Sequence, residues 1–182
     1  MTIPFSHSPC DILTYFFYTQ KPGRLAIFDL TDTTCSYLEG HRLGNKVVFP
    51  ATGYLALAWA GLAESYGKSM DNFSVTFENV SFERATFLSP DSPTALKFSV
   101  LDGDGTFVIR DDSTTVAKGK VKMATYKPST SLVVGDQPAK DGILLRTDAY
   151  KELRLRGYHY SGDFQGINFI SLDGNFNNAL FM

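Results

Sequence analysis

Cysteine is scarce in this 182-residue chain: Cys10 and Cys35 are the only two, too few for a disulfide scaffold. Free thiols, no bound metal and no cofactor are expected. An excess of one charge is also missing, since 17 basic and 19 acidic side chains leave a net charge of -2. Lys118, Lys120 and Lys122 form a short series of closely spaced basic residues. Their period of two describes one solvated strand face, with Val121 and Met123 on the other, rather than a footprint for nucleic acid or an anionic membrane. Long apolar runs are lacking too. Met1 to His7 has no cationic start, and Cys10-Asp11 interrupts the early sequence before a signal-peptide core can form. A cytoplasmic protein is therefore expected. Val47 to Ala63 is free of charge, but it contains Pro50, Thr52 and Gly53 and is too short to span a bilayer, so it reads as a buried segment.

Aromatic side chains, in contrast, are plentiful, with 15 Phe and nine Tyr in a chain that is 43% hydrophobic and 20% charged. Flat rings pack well on a pleated, half-buried sheet, so this composition predicts a globular protein rich in strands. Arg24 to Leu30 reads as a first strand, followed by turn chemistry at Thr31-Asp32-Thr33-Thr34 and a loop leading to His41. After Pro50, whose missing N–H suits a helix start, ATGYLALAWAGLAESYG predicts a helix ending at Gly67. Its apolar residues cover nearly every face, so it must be surrounded, and a curved sheet wrapped around it meets that demand. Phe73 to Leu88, Ala95 to Leu101, Thr106 to Arg110 and Thr114 to Thr125 then read as a β-meander. Asp102-Gly103-Asp104-Gly105 has calcium-loop spacing at first sight, but no Glu closes a twelve-residue loop, and a hairpin turn accounts for it.

Residues 127–145 lose periodicity and read as a linker, so residues 1–126 form a first domain and residues 146–182 the opening of a second. In that last part Thr147 is placed to cap a helix DAYKELRLR that stops at Gly157, and an aromatic strand follows. So short a segment cannot bury a core of its own.

Three histidines are available for chemistry: His7, His41 and His159. His41 leads the stretch that runs into the start of the buried helix, where unpaired backbone N–H groups favour a developing oxyanion. Imidazole as a side chain exchanges protons near neutral pH, so His41 is a candidate general base, or else a loop histidine with only a local hydrogen-bonding role. Asp148, Asp163 and Asp173 have helix-cap or turn contexts that explain them locally.

SYLEGHRLGNKVVFPATGYLALAWAGLA, from Ser36 to Ala63, and YKELRLRGYHYSGDFQGI, from Tyr150 to Ile167, resemble the dehydratase region of animal-type fatty acid synthases and, more distantly, that of polyketide synthases. The resemblance implies an α+β double hotdog, each unit a curved antiparallel sheet around one long helix, with the second unit only begun. It implies removal of water from a β-hydroxyacyl thioester carried on an acyl carrier protein, within a homodimeric multidomain synthase. His41 and Pro50 hold the outer spacing of the family's His-to-Pro motif, which makes His41 the base for the α-proton. The same resemblance puts Gly44, Asn45, Phe49 and Pro50 about the thioester and Tyr160 along the acyl channel. The motif glycine falls on Asn45, with Gly44 one place early, and the family's Gly-Tyr-Asp-Tyr-Gly-Pro is Gly157-Tyr158-His159-Tyr160-Ser161-Gly162 here. The family takes its acid, an aspartate, from the second hotdog beyond these residues, so the 182 residues alone are expected to turn over little. A non-catalytic hotdog that binds acyl chains or holds neighbouring domains is the alternative, followed by a single-hotdog thioesterase or hydratase.

Overall fold

The computed structural model describes residues 18–20, 23–101, 103–125 and 142–171. In chain order the strands are β1 (Tyr18–Gln20), β2 (Gly23–Phe28), β3 (His41–Leu43), β4 (Lys46–Val48), β5 (Val75–Phe82), β6 (Phe87–Leu88), β7 (Thr94–Val100), β8 (Thr106–Asp111), β9 (Thr114–Met123), β10 (Ile143–Leu145), β11 (Tyr158–Tyr160) and β12 (Phe169–Ser171). Two α-helices accompany them, α1 (Ala51–Ser65) and α2 (Arg146–Leu155). The described residues divide into two compact units, one of 18–38 with 48–125, the other of 39–47 with 142–171.

In the larger unit six antiparallel strands run in the order β1-β2-β7-β8-β9-β5. Period-two alternation sends Leu96 and Phe98 of β7, Phe107 and Ile109 of β8, and Val121 of β9 into the core, each at most 1% exposed. Helix α1 lies against β7, β8 and β9 and buries Leu57, Ala58 and Gly61. At Gly61 a Cβ would come within 2.8 Å of Arg24 Nη1 and 2.9 Å of Val100 Cγ2. That close approach lets Arg24 donate to the Gly61 carbonyl at 2.5 Å and pair with Glu64 at 3.1 Å.

Several expectations change. The strand following α1 is not next to β7. It pairs with β9 at the far edge, so only β7-β8-β9 forms the meander. Turn chemistry fixes which consecutive strands make hairpins, but the place of β5 depends on long-range burial that local turns do not encode. Helix α1 begins and ends as expected, yet Leu55, Ala56 and Trp59 are only half-buried, so among the described residues it is not enclosed on every face. Met123 is 47% exposed, because it pairs with Val75 at the end of the edge strand instead of reaching the core. Lys118, Lys120 and Lys122 do share a solvated face, each paired with a carboxylate: Glu83 at 3.0 Å, Asp104 at 3.2 Å and Glu78 at 2.7 Å. Asp104 also accepts from Thr106 N–H at 2.9 Å and Thr106 Oγ1 at 2.6 Å, the use of a hairpin turn for that carboxylate. Cys35 is buried, and burial pushes its thiol pKa up, whereas Cys10 lies outside the described residues.

In the smaller unit β10 pairs with β12, and β11 pairs with β3. Helix α2 starts one residue before Thr147, after an extended Leu145, and no side chain caps it. Strand β10 runs directly into the helix, and Arg146 N–H finds the Asn168 carbonyl at 2.8 Å, which removes the need for Thr147 as a cap. Asp148 stands in the first turn, where a negative charge suits the helix dipole. Among the described residues no helix is long and apolar enough to cross a membrane.

Thr86 is 1% exposed; its N–H donates to Tyr54 Oη at 3.1 Å and its carbonyl accepts from Phe49 N–H at 2.9 Å. Its Oγ1, however, is buried with no hydrogen-bond partner among the described residues. Thr86→Val should therefore leave stability unchanged or raise it by about 1 kcal/mol in urea unfolding. A loss above about 1 kcal/mol would show that the hydroxyl is satisfied after all. Hydrogen bonds from Thr106, followed by the Lys120 ammonium, lower the Asp104 pKa from 3.8 to about 2. A depressed carboxylate pKa contributes stability that is present above pH 3.8 and lost as pH falls toward 2. In urea titrations across that interval, Asp104→Asn should flatten the acid slope, and an unchanged slope would refute the assignment.

Candidate active site

The segment from His41 to Val48 is a two-residue hairpin instead of the expected loop: Leu43 faces Lys46 and Arg42 faces Val47, with Gly44-Asn45 at the turn. Gly44 takes φ +58 and Asn45 is absent from the positive-φ residues, the arrangement of a turn with glycine in its first central position. A glycine one place early therefore fits the turn that the backbone makes. Gly44 N–H donates to the Gly157 carbonyl at 2.8 Å. That amide is engaged within the protein.

Strand β11 aligns Tyr160 with His41, His159 with Arg42 and Tyr158 with Leu43. The Tyr160 ring stacks on the His41 imidazole at 5.2 Å between centroids and 17° between planes, while Phe164 leans on it at 4.9 Å and 46°. His41 is thereby half-buried. Burial first, then Tyr158 and Tyr150, raise the Tyr160 phenol pKa. The backbone beside the histidine is equally tight. Ser161 N–H donates to the Gly40 carbonyl at 3.0 Å, and a Cβ at position 40 would collide with the Ser161 carbonyl oxygen. His159 points to the other side of β11 and is exposed. Asp148 and Asp163 are exposed, and Asp173 lies outside the described residues.

Phe49 and Pro50 belong to the larger unit. Phe49 is 4% exposed, with its ring 4.5 Å from that of Phe28 and 4.9 Å from that of Tyr54. A Cβ on Gly53 would come within 2.7 Å of the same ring, so Phe49 packs directly on the first turn of α1. Pro50 precedes that turn in an extended conformation, and no side chain caps it. The structure brings His41 and Tyr160 together within one unit, with Gly44 and Asn45 at the exposed turn beyond.

The family model for the polyketide synthase dehydratase domain matches residues 20–112. The chain belongs to this dehydratase family. The highly reducing polyketide synthase verA of Penicillium polonicum is 32% identical over 148 residues, covering 72% of this chain and 6% of that protein. The highly reducing polyketide synthase aurA of Calcarisporium arbuscula is 29% identical over 147 residues, again 72% of this chain and 6% of that protein. The dehydratase domain from the CurF module of the curacin polyketide synthase superposes with a TM-score of 0.66 at 20% identity, over 89% of this chain and 62% of that one. The dehydratase domain of PpsC from Mycobacterium tuberculosis gives 0.66 at 20% identity, over 87% and 58%. These likenesses establish the hotdog fold. The chain spans a small fraction of the synthases it matches and less than two thirds of the solved dehydratase domains.

Two features of this dehydratase-family chain were not apparent from the residues alone. Gly162, where the family pattern has proline, adopts φ +56, a conformation closed to proline, whose ring holds φ near -65°. A proline could not take this position on the present backbone. Phe164 was overlooked, although its place four residues beyond Tyr160, after a glycine, was a usable signal for a turn that returns a ring to the same strand face. Gly40→Ala should push β3 and β11 apart and speed hydrogen exchange of the Ser161 amide roughly tenfold or more, while the larger unit keeps its protection. Unchanged exchange at Ser161 would mean that the gap tolerates a methyl group.

Proposed function

We propose that His41 is the general base of a dehydratase domain that converts a carrier-bound β-hydroxyacyl thioester into the trans-2-enoyl thioester. The observation that carries this is the half-buried His41 imidazole packed against the Tyr160 and Phe164 rings, in a chain of the polyketide synthase dehydratase family. In the reaction His41 takes the α-proton, the electron pair of that C–H bond forms the new double bond, and the β-hydroxyl leaves as water after protonation by an aspartate elsewhere in the domain. The CurK dehydratase, a structural neighbour, is inactive when a histidine is replaced by phenylalanine or an aspartate by asparagine, which supports this pair of roles. Tyr160, with its pKa raised by burial, lines the approach for the acyl chain.

Fatty acid and polyketide synthases share this elimination. The motifs favour an animal-type fatty acid synthase parent, whereas the relatives named above favour a polyketide synthase. Under either parent, the carrier protein and the remaining synthase domains are the partners, in a cytoplasmic homodimer. A second reading, a hotdog retained for architecture, draws support from the Gly44 amide, which is spent on Gly157 and so withheld from any substrate oxygen.

In the parent synthase, His41→Ala should lower dehydration by about 100- to 10,000-fold, with the β-hydroxyacyl intermediate accumulating on the carrier and earlier steps unaffected. Mass spectrometry of the carrier-bound chain reads this directly. A variant that still forms the enoyl chain at the parent rate would remove His41 from the mechanism. A parent that leaves the hydroxyl in place would favour the architectural reading.

A further inference from the structure

We infer that Tyr150 is a positioning residue for the His41 imidazole, acting through Phe164; the inference rests on His41 as the base. Phe164 closes a single turn of 3-10 helix, Gly162–Phe164, that no side chain caps. Such a turn has poor hydrogen-bond geometry and holds a ring in place only with help from outside. Tyr150 on α2 provides that help. Its side chain is buried, the residue being 6% exposed, and its hydroxyl accepts from Ile167 N–H at 2.9 Å while donating to the Phe164 carbonyl at 3.4 Å. One phenolic oxygen thus uses both its donor and an acceptor position to fix the backbone at both ends of the stretch 164–167. Gln165 adds a bond from Nε2 to the Tyr160 carbonyl at 2.7 Å, tying the same stretch to the strand that pairs with β3.

The consequence falls on the imidazole. With the Phe164 ring 4.9 Å from the His41 ring, a shift of the Phe164 backbone moves one wall of the histidine's cradle. A base must hold its nitrogen within hydrogen-bond reach of the proton it removes, and a misplacement of about 1 Å can cost about 100-fold. In this chain of contacts Tyr150 reaches His41 through the Phe164 backbone and ring. Its effect is on the orientation of the ring, not on the chemistry itself.

Tyr150→Phe preserves the ring and removes the hydroxyl, Phe164→Leu removes the wall, and Leu153→Ala on the same helix serves as a stability control. With 13C-labelled histidine in the full chain, the His41 ring resonances should move in Tyr150→Phe and Phe164→Leu, because the ring-current field around the imidazole changes, but not in Leu153→Ala. In the parent synthase Tyr150→Phe should lower kcat about tenfold with KM within about twofold. His41 resonances unmoved in a folded Tyr150→Phe chain would overturn the inference, as would Leu153→Ala moving them equally. Should Tyr150→Phe fail to fold, Phe164→Leu decides alone, since unchanged His41 resonances there deny Phe164 any hold on the ring. If the resonances move but His41→Ala leaves dehydration intact, the role of His41 as base fails while the positioning of its ring stands.

Discussion

The antiparallel pairing of β3 with β11 is the constraint on which the rest of the site depends. Side chains on paired strands alternate faces, so the register that sets Tyr160 opposite His41 also sends His159 away and aligns Tyr158 with Leu43. A slip of one residue would bring His159 to the face where Tyr160 now stacks and leave the imidazole with a different neighbour. Two backbone features oppose such a slip. Ser161 donates to the Gly40 carbonyl at one end of the pair, and Gly44 donates to the Gly157 carbonyl at the other. The absence of a side chain at Gly40 permits the strands to meet there at all.

The larger unit owes its form to a different force. Leu96, Phe98, Phe107 and Ile109 alternate along two central strands, and α1 presents small residues, Ala58 and Gly61, to the same surface. Small groups on the helix let its backbone come close to the sheet, so burial is achieved through short distance as well as through large rings. The ion pairs on the lysine face add little, because exposed pairs in water contribute between nothing and about 1 kcal/mol each. The core and the lysine face are thus energetically unequal sides of the same strands.

Much of this was legible in the sequence wherever a local rule controls the outcome. Pro50 and Gly67 bracket the helix because proline suits a helix start and glycine its end. The alternation of β7 and β8 was plain for the same kind of reason. Long-range choices were not. The edge place of β5, the exposure of Met123 and the start of α2 at Arg146 all follow from partners distant in the chain. At the candidate site the motif residues pointed to His41 and Tyr160 through a family resemblance, but the stack between them rests on strand register, which no single segment contains. The tie between Tyr150 and Phe164 is not legible in the sequence because it runs through a backbone carbonyl, to which the identity of the side chain gives no clue.

Paired strands whose residues stand roughly 120 positions apart also impose an order on biosynthesis. A ribosome releases β2 through β9, with helix α1 among them, before β11 exists, and chain elongation at about 5–20 residues per second leaves ample time for that sheet to form. The nascent His41 hairpin must then wait, with one side unpaired, for the tyrosine strand that completes its surroundings. The surroundings of His41 are therefore completed only after most of the hydrophobic core of the larger unit has been made.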